Sequence, residues 1–277
     1  GQYLVALLLP GLLDHAMGSL LGLHADTEHG GWLSVPGTTT RKATYDHVHV
    51  GLAASSALEV GHPQAAVLLE QVVEVVEQRL WDAPSQTLRE SFAPDWGDSE
   101  PYRGANANMH GLEAFLAMGE ATGDAVWHER GLAIADRVID VHARESGWLI
   151  PEHYTQGWQA LPDYNRDEPE HPFRPYGATF GHSLEWARFL LQLHESPMVA
   201  SPLWLVEAAE ASAGDVPVFL DPFEPDLCGW SSILAPCESE NDFEAAWTGE
   251  TIDVCVAESS GSATGLTYTI CDGSVCP

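Results

Sequence analysis

The stretch GLEAFLAMGEATGDAVWHERGLAIADRVIDVHA, residues 111–143, predicts two helices joined by a tight turn. Apolar residues recur at helical spacing in each half, as one set of Leu112, Phe115, Leu116 and Gly119 and a second set of Trp127, Ile134, Val138 and Val141. Between the two sets, Gly123 is placed to end the first helix and Asp124 to cap the second. Because so short a connection joins antiparallel neighbours, the stretch predicts a helix hairpin.

The same unit recurs along the chain, and such repeats indicate the architecture. Residues 51–96 and 111–158 each contain a helix pair followed by an extended, aromatic-rich segment. A partial copy ends in HGGWLSV at residues 29–35, and another begins with HSLEWARFLLQL at residues 182–193. The alignment of the two full copies pairs Gly51 with Gly111, Glu90 with Glu152 and Trp96 with Trp158. Turn residues within the extended segments predict short β-hairpins.

Tandem helix hairpins must stack on one another, either in an open solenoid or in a closed ring of inner and outer helices. We predict the ring, because the long aromatic segments between the repeats are unlike the tight turns of a solenoid. The expected fold is all-α, an (α/α)6 toroid with short β-hairpin excursions. A full toroid of this kind has six hairpins, and the repeats account for about four of them. The toroid is therefore expected to be incomplete.

A change in composition marks the end of the repeats. Arg188 is the last basic residue, and from Asp215 onward the helical periodicity fades into a segment rich in Pro, Ser, Gly and Cys. We therefore expect a toroid domain over residues 1–214 and a less ordered, acidic tail over residues 215–277. The apolar opening, residues 3–13, lacks the basic region of a signal peptide and is expected to form a buried helix.

The charge of the chain limits its partners. Eleven basic and 41 acidic residues give a formal net charge of −30, which disfavours nucleic acid and anionic membrane surfaces. No apolar run approaches the roughly 20 residues that a membrane-spanning helix needs. The acidity favours a solvated surface over a specific cationic partner. The body of the chain is free of cysteine, which suits a reducing cytoplasm, and the five cysteines near the end match no zinc-binding pattern.

Histidines at the starts of two predicted helices are the main candidates for chemistry. The alignment of HGLEAFL with HSLEWARFL places His110 and His182 at equivalent positions, which we expect to converge on the ring axis. His182 follows Thr179 closely enough to lie in a first helical turn, where the helix dipole favours a neutral imidazole. Glu185 lies one turn further on and could fix its tautomer or stabilise its charged form, as a general acid/base requires.

Other polar residues near these histidines suit a neutral, hydroxyl-bearing ligand. Asn106 and Asn108 offer both donors and acceptors, although one of them is expected to serve only as a cap or turn residue. Arg103 and Arg174 either bind substrate oxygens or neutralise carboxylates, and we favour neutralisation for each arginine taken singly. His47 and His49 alternate as metal ligands can, but no third ligand is evident, so we predict no metal site.

Four stretches resemble the N-acylglucosamine 2-epimerase family, and most of all its D-mannose isomerase branch: ESFAPDW at residues 90–96, YRGANANMHGLEAFLA at 102–117, DYNRDEPEHPFRPYGAT at 163–179 and GHSLEWARFLLQL at 181–193. The resemblance covers roughly residues 12–211 in the expected order and spacing. It implies an (α/α)6 barrel, in agreement with the fold reached from the repeats. It also implies chemistry that needs no cofactor and no metal.

The resemblance implies an aldose–ketose isomerase that interconverts D-mannose and D-fructose by histidine-mediated proton transfer through an enediol. It makes His182 and Glu185 catalytic, and it implies a monosaccharide pocket lined by Tyr45, Asn106, Met109, His110 and Arg174. A homodimer is left open. The family's early inner-helix arginine and its second catalytic histidine have no match in the chain. We therefore expect a chain truncated at both ends that binds sugar weakly and turns it over slowly.

Three alternatives remain open at this point. One is an epimerase of the N-acylglucosamine 2-epimerase type, which returns the proton to C2 instead of C1. Another is a catalytically incomplete sugar-binding or interaction remnant of the same fold. The third is an (α/α)6 glycoside hydrolase, for which Glu90 and Glu152 could be the two carboxylates. Hydrolysis adds water to its substrate whereas isomerisation conserves mass, so mass spectrometry distinguishes these reactions.

Overall fold

A computed structural model describes residues 11–171, 173–214, 253–258 and 266–271 of the chain. The chain divides into two compact units, Gly1–Ser212 and Ala213–Pro277. Most of the predicted opening helix lies outside the described residues. So does most of the tail, and the expectation that the tail is less ordered stays a prediction.

The first unit consists mainly of helices, and several of them continue into a wider π-helical turn before they end. The helices are α1 (residues 11–18, continued by Ser19–Leu23), α2 (Thr44–Glu59), α3 (Ala65–Val75, continued by Val76–Leu80), α4 (Ala105–Thr122), α5 (Ala125–Ala135, continued by Asp136–Ala143), α6 (Phe180–Glu195) and α7 (Trp204–Gly214). None of the helices in the described ranges is both long enough and apolar enough to cross a membrane.

The helices are arranged as inner and outer partners. α4 packs between α2 and α6, and these three form the inner layer. α3 covers α2, and α5 covers both α4 and α6, so that they form an outer layer. Within the described part of the chain, the inner helices form an arc of an (α/α)6 toroid and do not close into a ring. The prediction of an incomplete toroid of helix hairpins is confirmed.

The central hairpin, α4–α5, follows the sequence prediction closely. All residues of the two apolar sets are buried except Val141, which is half-buried. Gly123 ends α4 in the left-handed conformation at φ 72°, and the side chain of Asp124 accepts a hydrogen bond from the Val126 backbone N–H at 3.1 Å. A β-carbon on Gly111 would lie 2.1 Å from a methyl group of Leu88. Gly111 therefore lets a β-strand approach α4 closely.

The strands are short, and all of their pairings are antiparallel. They are β1 (Lys42–Ala43), β2 (Trp81–Asp82), β3 (Thr87–Leu88), β4 (Ser91–Phe92), β5 (Tyr102–Gly104), β6 (His153–Thr155), β7 (Asp253–Glu258) and β8 (Leu266–Cys271). The pairs are β1–β4, β2–β3, β5–β6 and β7–β8. The last pair lies in the second unit, in a region for which the sequence predicted no element.

The extended segments form the predicted hairpins at equivalent places. Bridges join Phe92 to Ser99 and Tyr154 to Ala160. At the turn of each hairpin lies a tryptophan with positive φ, 66° at Trp96 and 61° at Trp158. The sequence did not predict the other pairings of these segments. β5 and β6 are separated in sequence by the whole α4–α5 hairpin, so their pairing ties the start of one repeat to its end.

Candidate active site

Two glutamates link the starts of the inner helices, and they are the residues that the repeat alignment paired. The Glu90 carboxylate accepts a hydrogen bond from the backbone N–H of Gly104, the N-cap of α4, at 3.0 Å. The Glu152 carboxylate accepts one from Thr179, the N-cap of α6, at 3.2 Å. Each carboxylate therefore satisfies a backbone donor at a helix N-terminus, where the helix dipole also favours negative charge.

His182 lies in the first turn of α6, as predicted, and Glu152 holds its ring. Nδ1 of His182 lies 2.9 and 3.0 Å from the two carboxylate oxygens of Glu152, which is only 4% exposed. Because a carboxylate accepts, Nδ1–H donates, and this tautomer leaves the lone pair on Nε2. The ring is therefore oriented by a buried carboxylate and can accept a proton through its other nitrogen.

Two expectations about His182 need correction. Burial lowers the pKa of His182, but the hydrogen bond and charge of Glu152, together with the charge of Glu185, raise it above its usual value. The two carboxylates outweigh burial, so a neutral imidazole is not favoured here as it was expected to be. Glu185 does not orient the ring in this structure, because Nδ1 is hydrogen-bonded to Glu152. Glu185 acts on His182 through its charge.

The predicted equivalence of His110 and His182 is wrong. Counted from the first residues of the helices, His182 is third in α6, whereas His110 is sixth in α4. Ala107 occupies the third position of α4, and Glu185 occupies the sixth position of α6. The alignment of the two motifs is therefore shifted by three residues relative to the helices. The position of a side chain in the ring depends on its distance from the helix N-terminus, which the motif alignment does not take into account.

The fourth position of each inner helix supports this register. There, a side chain bonds the carbonyl of the N-cap residue four positions back: His47 Nδ1 to Ala43 at 2.7 Å, Asn108 Nδ2 to Gly104 at 3.0 Å, and Ser183 Oγ to Thr179 at 3.4 Å. His47 and Asn108 also accept a backbone N–H, from Trp32 and Leu88 respectively. These are structural roles, which agrees with the expectation that one of the two asparagines acts only locally.

Arg174 lies among carboxylates beside the start of α4. Its guanidinium donates to Glu100 at 2.8 and 3.0 Å and to Glu90 at 3.4 Å, and it lies 4.3 Å from the centre of the Tyr102 ring. These partners raise the pKa of Arg174 despite its burial. Arg103 likewise pairs with Asp82 at 3.1 Å and is buried. Both arginines therefore neutralise carboxylates, and Arg174 does so at the edge of the candidate site.

One of the two linking glutamates, Glu90, has a raised pKa. Burial raises the pKa of Glu90 to about 7, although Arg174 lowers it, and the nearby charge of Glu100 adds to the rise. Glu90 is therefore partly protonated near neutral pH. Sequence reasoning paired Glu90 with Glu152 but found no support for unequal acidity, because acidity depends on neighbours that only the fold brings together.

Two of the predicted sugar-binding residues lie close together. The Tyr45 ring is centred 5.2 Å from that of His110, on the neighbouring inner helix. Asn106 has a buried side-chain oxygen without a hydrogen-bond partner in the described structure. Met109, in contrast, has no exposed surface and lies in the hydrophobic core, so its contact with the sugar, which the family resemblance implies, stays a prediction.

A buried histidine that the sequence did not indicate supports the loop carrying Arg174. Tyr102 Oη donates to Nδ1 of His153 at 2.6 Å, and Nε2–H of His153 donates to the carbonyl of Pro175 at 2.7 Å. Burial lowers the pKa of His153, which is consistent with this neutral tautomer. The signal that could have found it is its position directly after Glu152 in the extended segment.

Comparison with known proteins identifies the family of the chain. A sequence model of the N-acylglucosamine 2-epimerase family matches residues 10–215, and the chain belongs to this family. The chain is 48% identical over 205 residues to a D-mannose isomerase of Pseudomonas cannabina pv. alisalensis, covering 72% of this chain and 49% of that protein. It is also 48% identical to a D-mannose isomerase of Thermobifida fusca, covering 72% of this chain and 50% of that protein.

A solved structure extends the comparison. A crystal structure of D-mannose isomerase superposes with a TM-score of 0.62 at 31% sequence identity, covering 69% of this chain and 49% of the other. This agrees with the (α/α)6 toroid. The chain spans about half the length of the curated relatives that it matches.

Proposed function

We propose that the chain carries part of the active site of an aldose–ketose isomerase that interconverts D-mannose and D-fructose. The observation that supports this most directly is His182, which presents Nε2 as a base while Glu152 holds Nδ1 at 2.9 Å. The arrangement occurs in a chain that is 48% identical to D-mannose isomerases. Its substrate is a neutral monosaccharide, which the net charge of −30 does not repel.

The reaction needs a base beside C2 of the open-chain sugar. Nε2 of His182 takes the C2 proton, the electron pair of that bond forms the C1–C2 double bond, and O1 accepts a proton to give the enediol. Fructose forms when the O2 proton leaves, C2–O2 becomes a carbonyl, and C1 accepts a proton. Glu152 stabilises the imidazolium that forms in the first step, because its negatively charged carboxylate accepts a hydrogen bond from the other ring nitrogen, Nδ1.

The sugar hydroxyl groups are bound by the remaining polar residues of the site. Asn106 offers an unpaired carbonyl oxygen, which suits a hydroxyl donor. Tyr45 and His110 supply an aromatic wall with polar edges. Glu185 adds negative charge close to both His110 and His182, and its role here is to favour their charged forms.

A glycoside hydrolase is a weaker candidate. Its mechanism requires two carboxylates that are free to act on the glycosidic bond and on water. Glu152 is instead engaged by His182 and by the Thr179 backbone, and Glu90 is engaged by Gly104 and Arg174. The epimerase alternative uses the same base and differs only in where the proton returns.

Proton NMR in heavy water tests the proposal. The chain is incubated separately with D-mannose, D-fructose and N-acetylmannosamine. Isomerisation predicts fructose formed from mannose, with deuterium entering C1 or C2. Mannose converted to glucose without fructose would indicate an epimerase, and exchange restricted to N-acetylmannosamine would indicate the acylated substrate. Saturable sugar binding without any deuterium exchange would contradict an isomerase and support a sugar-binding remnant.

A further inference from the structure

Two histidines on neighbouring inner helices meet beside the sugar-binding residues. His49 and His110 are the sixth residues of α2 and α4, and their ring centres lie 4.7 Å apart. Glu113 lies one helical turn beyond His110. One potential ligand atom from each of these three residues lies within 4.8 Å of the other two. The three side chains are only partly buried, so that an ion from solvent can reach them.

The hydrogen bonds of the two histidines fix their tautomers. Nδ1 of His49 lies 2.8 Å from the carbonyl of Tyr45, and Nδ1 of His110 lies 3.0 Å from the carboxylate of Glu113. Carbonyl and carboxylate oxygens accept, so that both Nδ1 atoms donate their protons. Both Nε2 atoms are left with lone pairs. An imidazole whose second nitrogen donates to a carbonyl or a carboxylate is the usual form of a metal-bound histidine.

We propose that His49 and His110 form a binding site for a divalent transition-metal ion of the Zn²⁺ class. Nε2 of each histidine is a ligand, and water fills the remaining positions. Glu113 orients His110 from the outer sphere and balances part of the positive charge. Imidazole ligands favour Zn²⁺ over Mg²⁺ or Ca²⁺, which prefer oxygen. Sequence reasoning missed this site because it paired His49 with His47, two residues away. The fold instead brings a partner, His110, from α4.

The proposed metal ligands do not include His182, the base proposed for proton transfer. Tyr45 packs against both imidazoles, with ring centres 4.4 Å from His49 and 5.2 Å from His110. A bound ion would therefore lie at the wall of the candidate sugar pocket. Binding of the ion can be measured without any sugar, so that its test does not depend on the proposed isomerase activity.

Isothermal titration with Zn²⁺ tests the site in the full chain. The five cysteines are first alkylated, which removes thiolates as competing ligands and leaves the cysteine-free site untouched. Excess Mg²⁺ occupies the exposed carboxylates. We expect one micromolar site, weakened at least 10-fold by His49→Ala and roughly 10-fold by Glu113→Gln, since loss of an outer-sphere partner typically costs 10- to 100-fold. His15→Ala is the matched control, since it removes an exposed histidine from α1.

The result that overturns the proposal is Zn²⁺ binding by His49→Ala with wild-type affinity, or no single site in the wild-type chain. The chain has 13 histidines, so binding that falls equally in His15→Ala would mean general histidine binding and would also overturn it. Circular dichroism checks that each variant keeps its helices. If His49→Ala loses them, His49→Gln replaces it, since glutamine keeps much of the volume but lacks the imidazole ligand.

Discussion

The N-termini of α4 and α6 have the same construction and different chemistry. In both, a glutamate from the preceding extended segment accepts a hydrogen bond from the N-cap backbone N–H, Glu90 at Gly104 and Glu152 at Thr179. In α6 the third helical residue is His182, and its ring donates a hydrogen bond to the same carboxylate. In α4 the third residue is an alanine, and the carboxylate of Glu90 instead lies 3.4 Å from Arg174.

The difference shows how one copy of a repeat can provide a candidate catalytic base. The backbone arrangement that holds a carboxylate at a helix N-terminus is present twice, and only one copy contains an imidazole. Burial raises the pKa of Glu90 to about 7 even though its partner Arg174 lowers it, whereas in the other copy Glu152 raises the pKa of its partner His182. The predictions below alter one copy at a time.

The largest effect is expected from the histidine itself. We predict that His182→Ala lowers isomerase activity by about 10²- to 10⁴-fold, because a positioned general base contributes that much. Initial rates of fructose formation measure the loss. His194→Ala is the control, since it removes a histidine from the last turn of the same helix. Activity that survives in His182→Ala would assign the base elsewhere.

The next effect comes from the residue that positions His182. A hydrogen bond to a charged group contributes about 1.5–3 kcal/mol, so Glu152→Gln is predicted to lower kcat roughly 10- to 100-fold. Loss of the negative charge also lowers the pKa of His182. The base is active when deprotonated, so the acidic limb of the pH–rate profile moves to lower pH.

Glu90→Gln is the matched variant for that test. It changes the equivalent carboxylate of the neighbouring helix, which touches no histidine, and glutamine can still accept from Gly104. The acidic limb of its pH–rate profile is expected to stay where it is in the wild-type chain. A shift of equal size in both variants would mean that general electrostatics, and not contact with His182, sets that pKa.

The fold was largely predictable from the sequence because its signals are local and repeated. The apolar spacing of α4–α5, the left-handed Gly123 and the cap at Asp124 each depend on a few neighbouring residues. The alignment of Trp96 with Trp158 marks equivalent positions, and both residues have positive φ at a hairpin turn. Repetition compensated for the weakness of any single signal.

The site was predictable only in part. His182 was singled out because a motif alignment placed it beside His110 and because it follows a helix start, and only the second argument agrees with the structure. Its partner Glu152 is 30 residues away in sequence. Sequence spacing instead indicated Glu185, since the contacts that spacing reveals on a helix are between i+3 and i+4 neighbours. His153 was missed for the same reason: its contacts with Tyr102 and Pro175 are both distant in sequence.

A smaller effect is expected from the fourth position of the inner helices, where α2 has His47 and α4 has Asn108. Burial lowers the pKa of His47 to about 4, although its bond to the Ala43 carbonyl raises it. Below about pH 6.5 the unfolded chain binds a proton that the folded chain does not, so stability falls as pH falls toward 4. Between pH 7 and pH 5 this amounts to about 2 kcal/mol.

His47→Asn places the α4 residue in α2 and removes that titration. Urea unfolding at pH 7 and pH 5 measures the free energy of unfolding for both chains. The wild-type chain is expected to lose about 2 kcal/mol more than the variant over this interval. Other buried histidines titrate in both chains and cancel in the difference. Equal losses would mean that His47 already accepts a proton in the folded chain.

The smallest effect concerns how the two inner helices end. α4 ends at Gly123 with φ 72°, whereas α6 ends at Ser196 in an extended conformation with φ −67°. A β-carbon at residue 123 would meet no atom within 4 Å, so any cost of Gly123→Ala comes from the backbone conformation. The left-handed conformation costs an L-residue about 1 kcal/mol, and we predict that loss in the free energy of unfolding.

Gly18→Ala is the matched control, because residue 18 also has open space around it but has helical φ −61°. Alanine there is expected to stabilise the chain by roughly 0.5 kcal/mol. If the free energy of unfolding falls in Gly123→Ala and rises in Gly18→Ala, the backbone conformation at the end of α4 is the reason that it requires glycine. If it changes in the same direction in both variants, backbone conformation is not the reason.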